Sequence, residues 1–88
     1  MTFTGYVGSP QPHWWKHIVT LTDAPNLTEF AVTLFPAYGS WRAKASWQDA
    51  DGRWHDAAIP DLATEYRDAP DDPMGCQLWL TGTIPQDD

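Results

Sequence analysis

Ser40-Trp41-Arg42-Ala43-Lys44-Ala45-Ser46-Trp47-Gln48 is the stretch that decides how this chain folds. Trp41, Ala43, Ala45 and Trp47 alternate without a break with Arg42, Lys44, Ser46 and Gln48. Successive side chains of an extended strand point to opposite faces, so the stretch has one apolar face and one polar, partly basic face. This is the pattern of an antiparallel strand buried on one side. Small alanines between two indoles leave a gap that the rings can lean over or that a neighbouring side chain can fill. Asp49-Ala50-Asp51-Gly52 follows, with Gly52 suited to the positive φ of a hairpin turn. Residues 53–58 read as the returning strand. If Trp47 and Trp54 lie opposite each other, the aromatic pair contributes about 0.5–1 kcal/mol.

Outward from this hairpin, Pro and Gly divide the chain into short pieces. Residues 3–8, 17–22, 28–35 and 76–84 read as further strands. Strand 28–35 carries Phe30, Val32 and Leu34 on one face and Ala31, Thr33 and Phe35 on the other, which suggests a central strand covered on both sides. In 76–84, Cys76, Leu78, Leu80, Gly82 and Ile84 share an apolar face, and Gln77, Trp79, Thr81 and Thr83 share a polar one. Residues 61–67 could form a short helix, with Asp61 as N-cap and Leu62 and Tyr66 at i, i+4 spacing. The expectation is one all-β domain over 1–88, a small antiparallel sandwich or barrel of about six strands, with that helix as a lid. An α+β arrangement with a longer helix at 60–70 is the rival.

Twelve acids stand against five bases, for a net charge of −7. Nucleic-acid backbones and anionic membrane surfaces both require clustered bases, so neither is expected as a partner. No basic start followed by an apolar run marks a signal peptide, and no stretch approaches a membrane span. The expected setting is a cytosol, or carriage inside a larger assembly. Cys76 is alone, which excludes an intrachain disulfide, and its apolar stretch suggests an inert buried thiol.

Motifs for chemistry are sparse. His13 and His17 have the i, i+4 spacing of a helical zinc site, and His55 and Cys76 would complete a set of ligands. The segment follows two prolines and enters a strand, so hydrogen-bonded or solvent-facing histidines are the plainer reading. Asp49-x-Asp51-Gly52 matches part of a calcium loop but lacks a third oxygen ligand before the glycine and a closing Glu, and a hairpin turn explains it. No phosphate loop or G-x-S-x-G nucleophile motif is present, and so small a strand domain leaves little room for a catalytic pocket. No cofactor and no metal is expected.

The six tryptophans carry the remaining signal. Trp41, Trp47 and Trp54 are expected inside. Trp79 shares its face with Gln77, Thr81 and Thr83, and faces either solvent or a second layer. Trp14 and Trp15 are adjacent, so one of them should point outward. Exposed tryptophan is enriched at contact sites. Arg42 and Lys44, with Arg53 and His55 across from them, form a small basic spot, while eight of the twelve acids, among them Asp68, Asp71 and Asp72, lie within 49–72. The expected function is a non-enzymatic protein-interaction module using Trp14, Trp15, Trp79, Arg42, Lys44, Asp68, Asp71 and Asp72. It would be a subunit of a larger assembly such as a virion, in contact with another protein or with its own copies, or a small acidic inhibitor of a host complex. The alternatives are a carbohydrate-binding sandwich with a stacking platform, and a metal-dependent enzyme using His13, His17 and His55.

Overall fold

Residues Ser40–Gln48 form a strand with the expected polarity: Ala43, Ala45 and Trp47 are buried, Trp41 is half-buried at the core edge, and Arg42 and Lys44 are exposed. It is one of eight strands in the computed structural model, which describes residues 1–85. In chain order these are β1 (Thr2–Gly8), β2 (His17–Ile18), β3 (Thr20–Asp23), β4 (Thr28–Ala37), β5 (Ser40–Gln48), β6 (Trp54–Ala58), β7 (Ala63–Asp68) and β8 (Cys76–Thr83). They make two antiparallel four-stranded sheets, ordered β3-β1-β8-β7 and β2-β4-β5-β6. The chain is an all-β two-sheet sandwich, and among the described residues there is no helix.

The core is the space between the sheets. Phe3 and Val7 from β1 and Leu78 and Leu80 from β8 face Val32 and Leu34 from β4 and Ala43, Ala45 and Trp47 from β5. Ile59 and Ile84 close the stack. The apolar positions of β5 and β8 are those that alternation assigned to one face, and Phe3 and Val7 of β1 share a face by the same period of two.

Three expectations change. The stretch 17–22 is two strands, not one. β2 pairs with β4 in the second sheet, β3 pairs with β1 in the first, and buried Val19 is the crossing point, its N–H donating to the Val32 carbonyl at 2.9 Å. Gly5 permits this crossing, because a Cβ there would stand 2.6 Å from Val19 Cγ1 and 2.7 Å from the Thr20 carbonyl oxygen.

The segment 61–67 is not a helix. Residues Ala63–Asp68 are the edge strand β7, paired with β8 from Ala63 opposite Thr81 to Asp68 opposite Cys76. The Leu62/Tyr66 spacing is even, so it satisfies a period of two as well as a helical turn. An isolated helix of seven residues is marginal, whereas the open edge of β8 offers a full hydrogen-bond ladder.

Trp54 does not face Trp47. Residues 49–53 form the loop, and the register sets Gln48 opposite Trp54 and Trp47 opposite His55. The Asp49 carboxylate accepts the N–H groups of Asp51 (2.9 Å) and Arg53 (3.0 Å), and Asp49 N–H donates to the Arg53 carbonyl. Gly52 takes φ +81°. An extra residue in the loop turns every side chain of β6 to the other face. Trp54 therefore lies outside, 62% exposed. His55 takes the inner position and stacks on Trp47, with ring centroids 5.6 Å apart.

The β4–β5 hairpin is tighter. Tyr38 (φ +52°) and Gly39 (φ +79°) form its two-residue tip, and the Tyr38 ring is fully exposed. Glycine and asparagine favour such positions; a tyrosine there costs about 1 kcal/mol.

Candidate interaction surface

β4 is apolar on both faces, but only the inner one is covered. Opposite the core, the outer face of the second sheet carries Ile18 from β2, Ala31, Thr33 and Phe35 from β4, Arg42, Lys44, Ser46 and Gln48 from β5, and Trp54, Asp56 and Ala58 from β6. Registers Ile18–Thr33–Lys44–Ala58 and Phe35–Arg42 run across it. The expectation that 28–35 is covered on each side is corrected here: the chain supplies two layers, so the outer face of β4 has none above it.

Trp15 and Lys16, from the segment before β2, stand over this face. Together with Thr33, Phe35, Lys44 and Ser46 they wall a shallow groove of about 370 Å³. Trp15 is 77% exposed, Ile18 64%. Lys16 Nζ sits 4.4 Å from the Trp15 ring centroid, a cation–π contact that orders the indole without covering it. Lys16, Arg42 and Lys44 are three of the five bases of an acidic chain. One acid faces them among the strand positions. Asp56 accepts the Ser46 hydroxyl at 2.6 Å, lies 3.5 Å from Lys44 Nζ, and is held below the usual carboxylate range, chiefly by the Ser46 hydrogen bond. The basic spot differs from expectation in its members. Arg53 is in the loop and His55 points inward, while Lys16 joins Arg42 and Lys44.

The other candidate residues are elsewhere. Trp79 is on the outer face of the first sheet, not against a second layer. Its indole stands between Tyr6 of β1, stacked at 4.9 Å, and the Arg67 guanidinium of β7, 4.4 Å from the ring. Its Nε1–H donates to Gln77 Oε1 at 2.9 Å. Both faces and the donor are engaged within the chain, which leaves Trp79 half-buried. Asp68 ends β7, and Asp71 and Asp72 lie in the β7–β8 turn, stitched by Asp72 N–H to the Ala69 carbonyl and Gly75 N–H to the Asp72 carbonyl. The structure thus joins Trp15, Arg42 and Lys44 on one face and separates them from Trp79 and from Asp68, Asp71 and Asp72. Trp54, Ile18, Phe35 and Lys16 join this face without a local sequence signal for it; the five-residue loop and the uncovered face of β4 put them there.

Trp14 is exposed but not free. It stacks on His17 (centroids 5.8 Å), and His17 meets the edge of Trp41 (5.9 Å). His17 is buried, and its Nε2 accepts the Gln11 N–H at 2.9 Å. Burial, and then the neighbouring His13, hold its pKa below the ordinary histidine value of 6.5. The fold thus favours neutral His17, while the unfolded chain takes up a proton as pH falls below about 6.5. Stability is expected to be full above that pH and to decline below it. A second decline is expected below about 3.8. There Asp49 (hydrogen-bonded by His55), Asp56 and Asp61 (hydrogen-bonded by Thr83) all protonate late. Unfolding midpoints measured across this range should lose much of the first step in His17→Gln; a variant that keeps the whole step places that titration elsewhere.

Little else resembles a reaction centre. Among the described residues, no three His, Cys, Asp or Glu side chains gather where a metal could bind. An open cleft of about 520 Å³ at the β5–β6 turn is larger than expected for so small a domain. Asn26, Thr28, Trp47, Asp49 and His55 are among its lining. His55 Nε2 lies 2.8 Å from Asp49 Oδ2, but Asp49 also ties down the hairpin, and Thr28 is the one hydroxyl in the lining. No protein-family model matches this chain, and neither a curated protein nor a solved structure shows significant similarity to it.

Proposed function

We propose that this chain is a protein-interaction module that docks through the outer face of its second sheet onto an acidic, partly apolar surface of another protein. One observation carries the reading. Exposed Trp15, Ile18 and Trp54, with half-buried Phe35, share a face with three of the five bases of a chain whose net charge is −7. Large exposed apolar groups ringed by charge are the usual composition of a docking site. Trp15 is the central anchor. Its ring is rigid and already oriented by Lys16, so little side-chain entropy is lost when a partner covers it. Arg42 and Lys44 select the partner by charge and speed the encounter, and excess acid elsewhere repels other acidic proteins. A role as a subunit of a larger assembly or as an inhibitor fits this surface equally.

The test is capture of a partner, its identification, and titration with purified components. Trp15→Ala should weaken binding about tenfold to a hundredfold, the range of an interface anchor. Arg42→Glu with Lys44→Glu should slow association and invert its salt dependence, because attraction to an acidic surface becomes repulsion that salt screens. Trp79→Ala, and Asp68, Asp71 and Asp72 changed to Asn, serve as comparisons on other surfaces. Undiminished affinity in the Trp15 and Arg42/Lys44 variants overturns the assignment.

A further inference from the structure

A second aromatic surface lies at the edge between the sheets, away from the face just described. Pro12, Pro36, Tyr38, Ser40, Trp41 and Tyr66 line a groove of about 450 Å³. Trp41 of β5 and Tyr66 of β7 join the two sheets across it, with Trp41 Nε1–H donating to Tyr66 Oη at 3.1 Å. Tyr66 accepts that bond and retains its own hydroxyl proton to donate. Tyr38 flanks the groove from the hairpin tip. Its backbone takes a left-handed conformation that a tyrosine disfavours, and its ring gains no packing in return. Strain kept without benefit to the fold points to a contact outside it.

We infer that this groove binds a proline-rich, basic segment of a partner protein in the polyproline II conformation. Such a helix has no internal hydrogen bonds. It offers pyrrolidine faces to aromatic rings and bare carbonyls to donors. The groove has the matching parts: three aromatic side chains, two proline rings and the Tyr66 hydroxyl. The charge comes from the same strand. Asp68 is two residues beyond Tyr66 in β7 and shares its face, and exposed Asp71 follows in the turn. Arg67 between them faces the other way, onto Trp79 and within 3.1 Å of Glu65. A cationic residue next to the ligand's prolines therefore meets uncompensated acid. A sugar fits less well, because beside Tyr66 the lining side chains add only the hydroxyls of Tyr38 and Ser40, and Ser40 already donates to the Ala37 carbonyl at 3.0 Å.

The experiment titrates the full chain with three peptides of about ten residues, long enough for roughly three turns of polyproline II. One is proline-rich with two arginines, one has glutamine for arginine, and one has alanine for proline. The readouts are calorimetry and the Trp41 indole N–H resonance. The arginine-containing proline peptide should bind most tightly and shift that resonance. Tyr38→Asn should weaken this binding about tenfold while raising the melting temperature, because asparagine accepts the left-handed turn position. The rise shows that the lost affinity is not lost folding. Asp68→Asn should lower affinity for the arginine peptide to that for the glutamine peptide, leaving the latter unchanged. No shift of the Trp41 resonance at millimolar peptide overturns the inference. Equal binding of the alanine peptide, or a shift produced by oligosaccharide instead, does the same.

Discussion

Trp47→Ala is expected to destabilise the fold by about 3–5 kcal/mol, and Trp54→Ala by less than about 0.5 kcal/mol. The two residues flank one hairpin loop and differ little by composition or local sequence. Trp47 is 7% exposed, on the core face between the sheets, with His55 stacked over its ring. Its removal loses the transfer free energy of a large side chain and leaves a cavity that a two-layer core cannot collapse around. Trp54 stands on the outer face opposite Gln48, where solvent fills the space left by truncation. A domain of this size has a total stability of about 4–13 kcal/mol, so Trp47→Ala removes a large part of it. Urea unfolding followed by circular dichroism separates the cases. The midpoint should move strongly for Trp47→Ala and scarcely for Trp54→Ala. Similar losses for both would mean a register with both indoles inside.

Gly82→Ala is the second large effect, with an expected loss of about 1–3 kcal/mol from a single added methyl. Gly82 is buried on the inner face of β8, opposite Phe3. Its backbone φ is not positive, so the requirement is one of space. A Cβ there would fall onto Ile59 Cγ2 and 3.0 Å from Phe3 Cε1. Ile59 is buried where the chain leaves β6 for β7, with its N–H donating to the Ala43 carbonyl. The methyl therefore meets a side chain whose backbone is tied to the other sheet. Combination with Ile59→Ala should reveal the contact. The cost of Gly82→Ala should shrink in that background, because the obstructing methyl is gone, giving a coupling outside ordinary additivity. Strict additivity in thermal unfolding would show that Ile59 is not what excludes the side chain.

Where the chain was legible, the signal was local. The faces of β5 and β8 follow from strict alternation, which also sets Trp79 on the face opposite Leu78 and Leu80. Tyr6, its stacking partner, is far away in sequence, and only the pairing of β1 with β8 brings the rings together. Tyr66 has the local spacing of a helical neighbour of Leu62; its place opposite Leu78, and its bond to Trp41, depend on an edge strand finding a ladder. The proposed interaction surface is only partly readable from local sequence. Trp15, Arg42 and Lys44 are marked by sequence and stand together on one face. A turn over 49–52 puts Trp54 inside, whereas Asp49 closes a loop of five residues over 49–53 and turns it out.

The sequence by itself determined most of the strands and which side chains of β5 and β8 share the inner face, because side-chain direction in an extended strand depends only on parity. Tertiary structure decided which apolar faces remain open. Residues 28–35 are apolar on both sides, and nothing local distinguishes the side that meets another sheet from the side that meets water. Eight short strands suffice for two layers, so the outer face of β4 stays uncovered, and Trp15, Ile18 and Trp54 become surface rather than core.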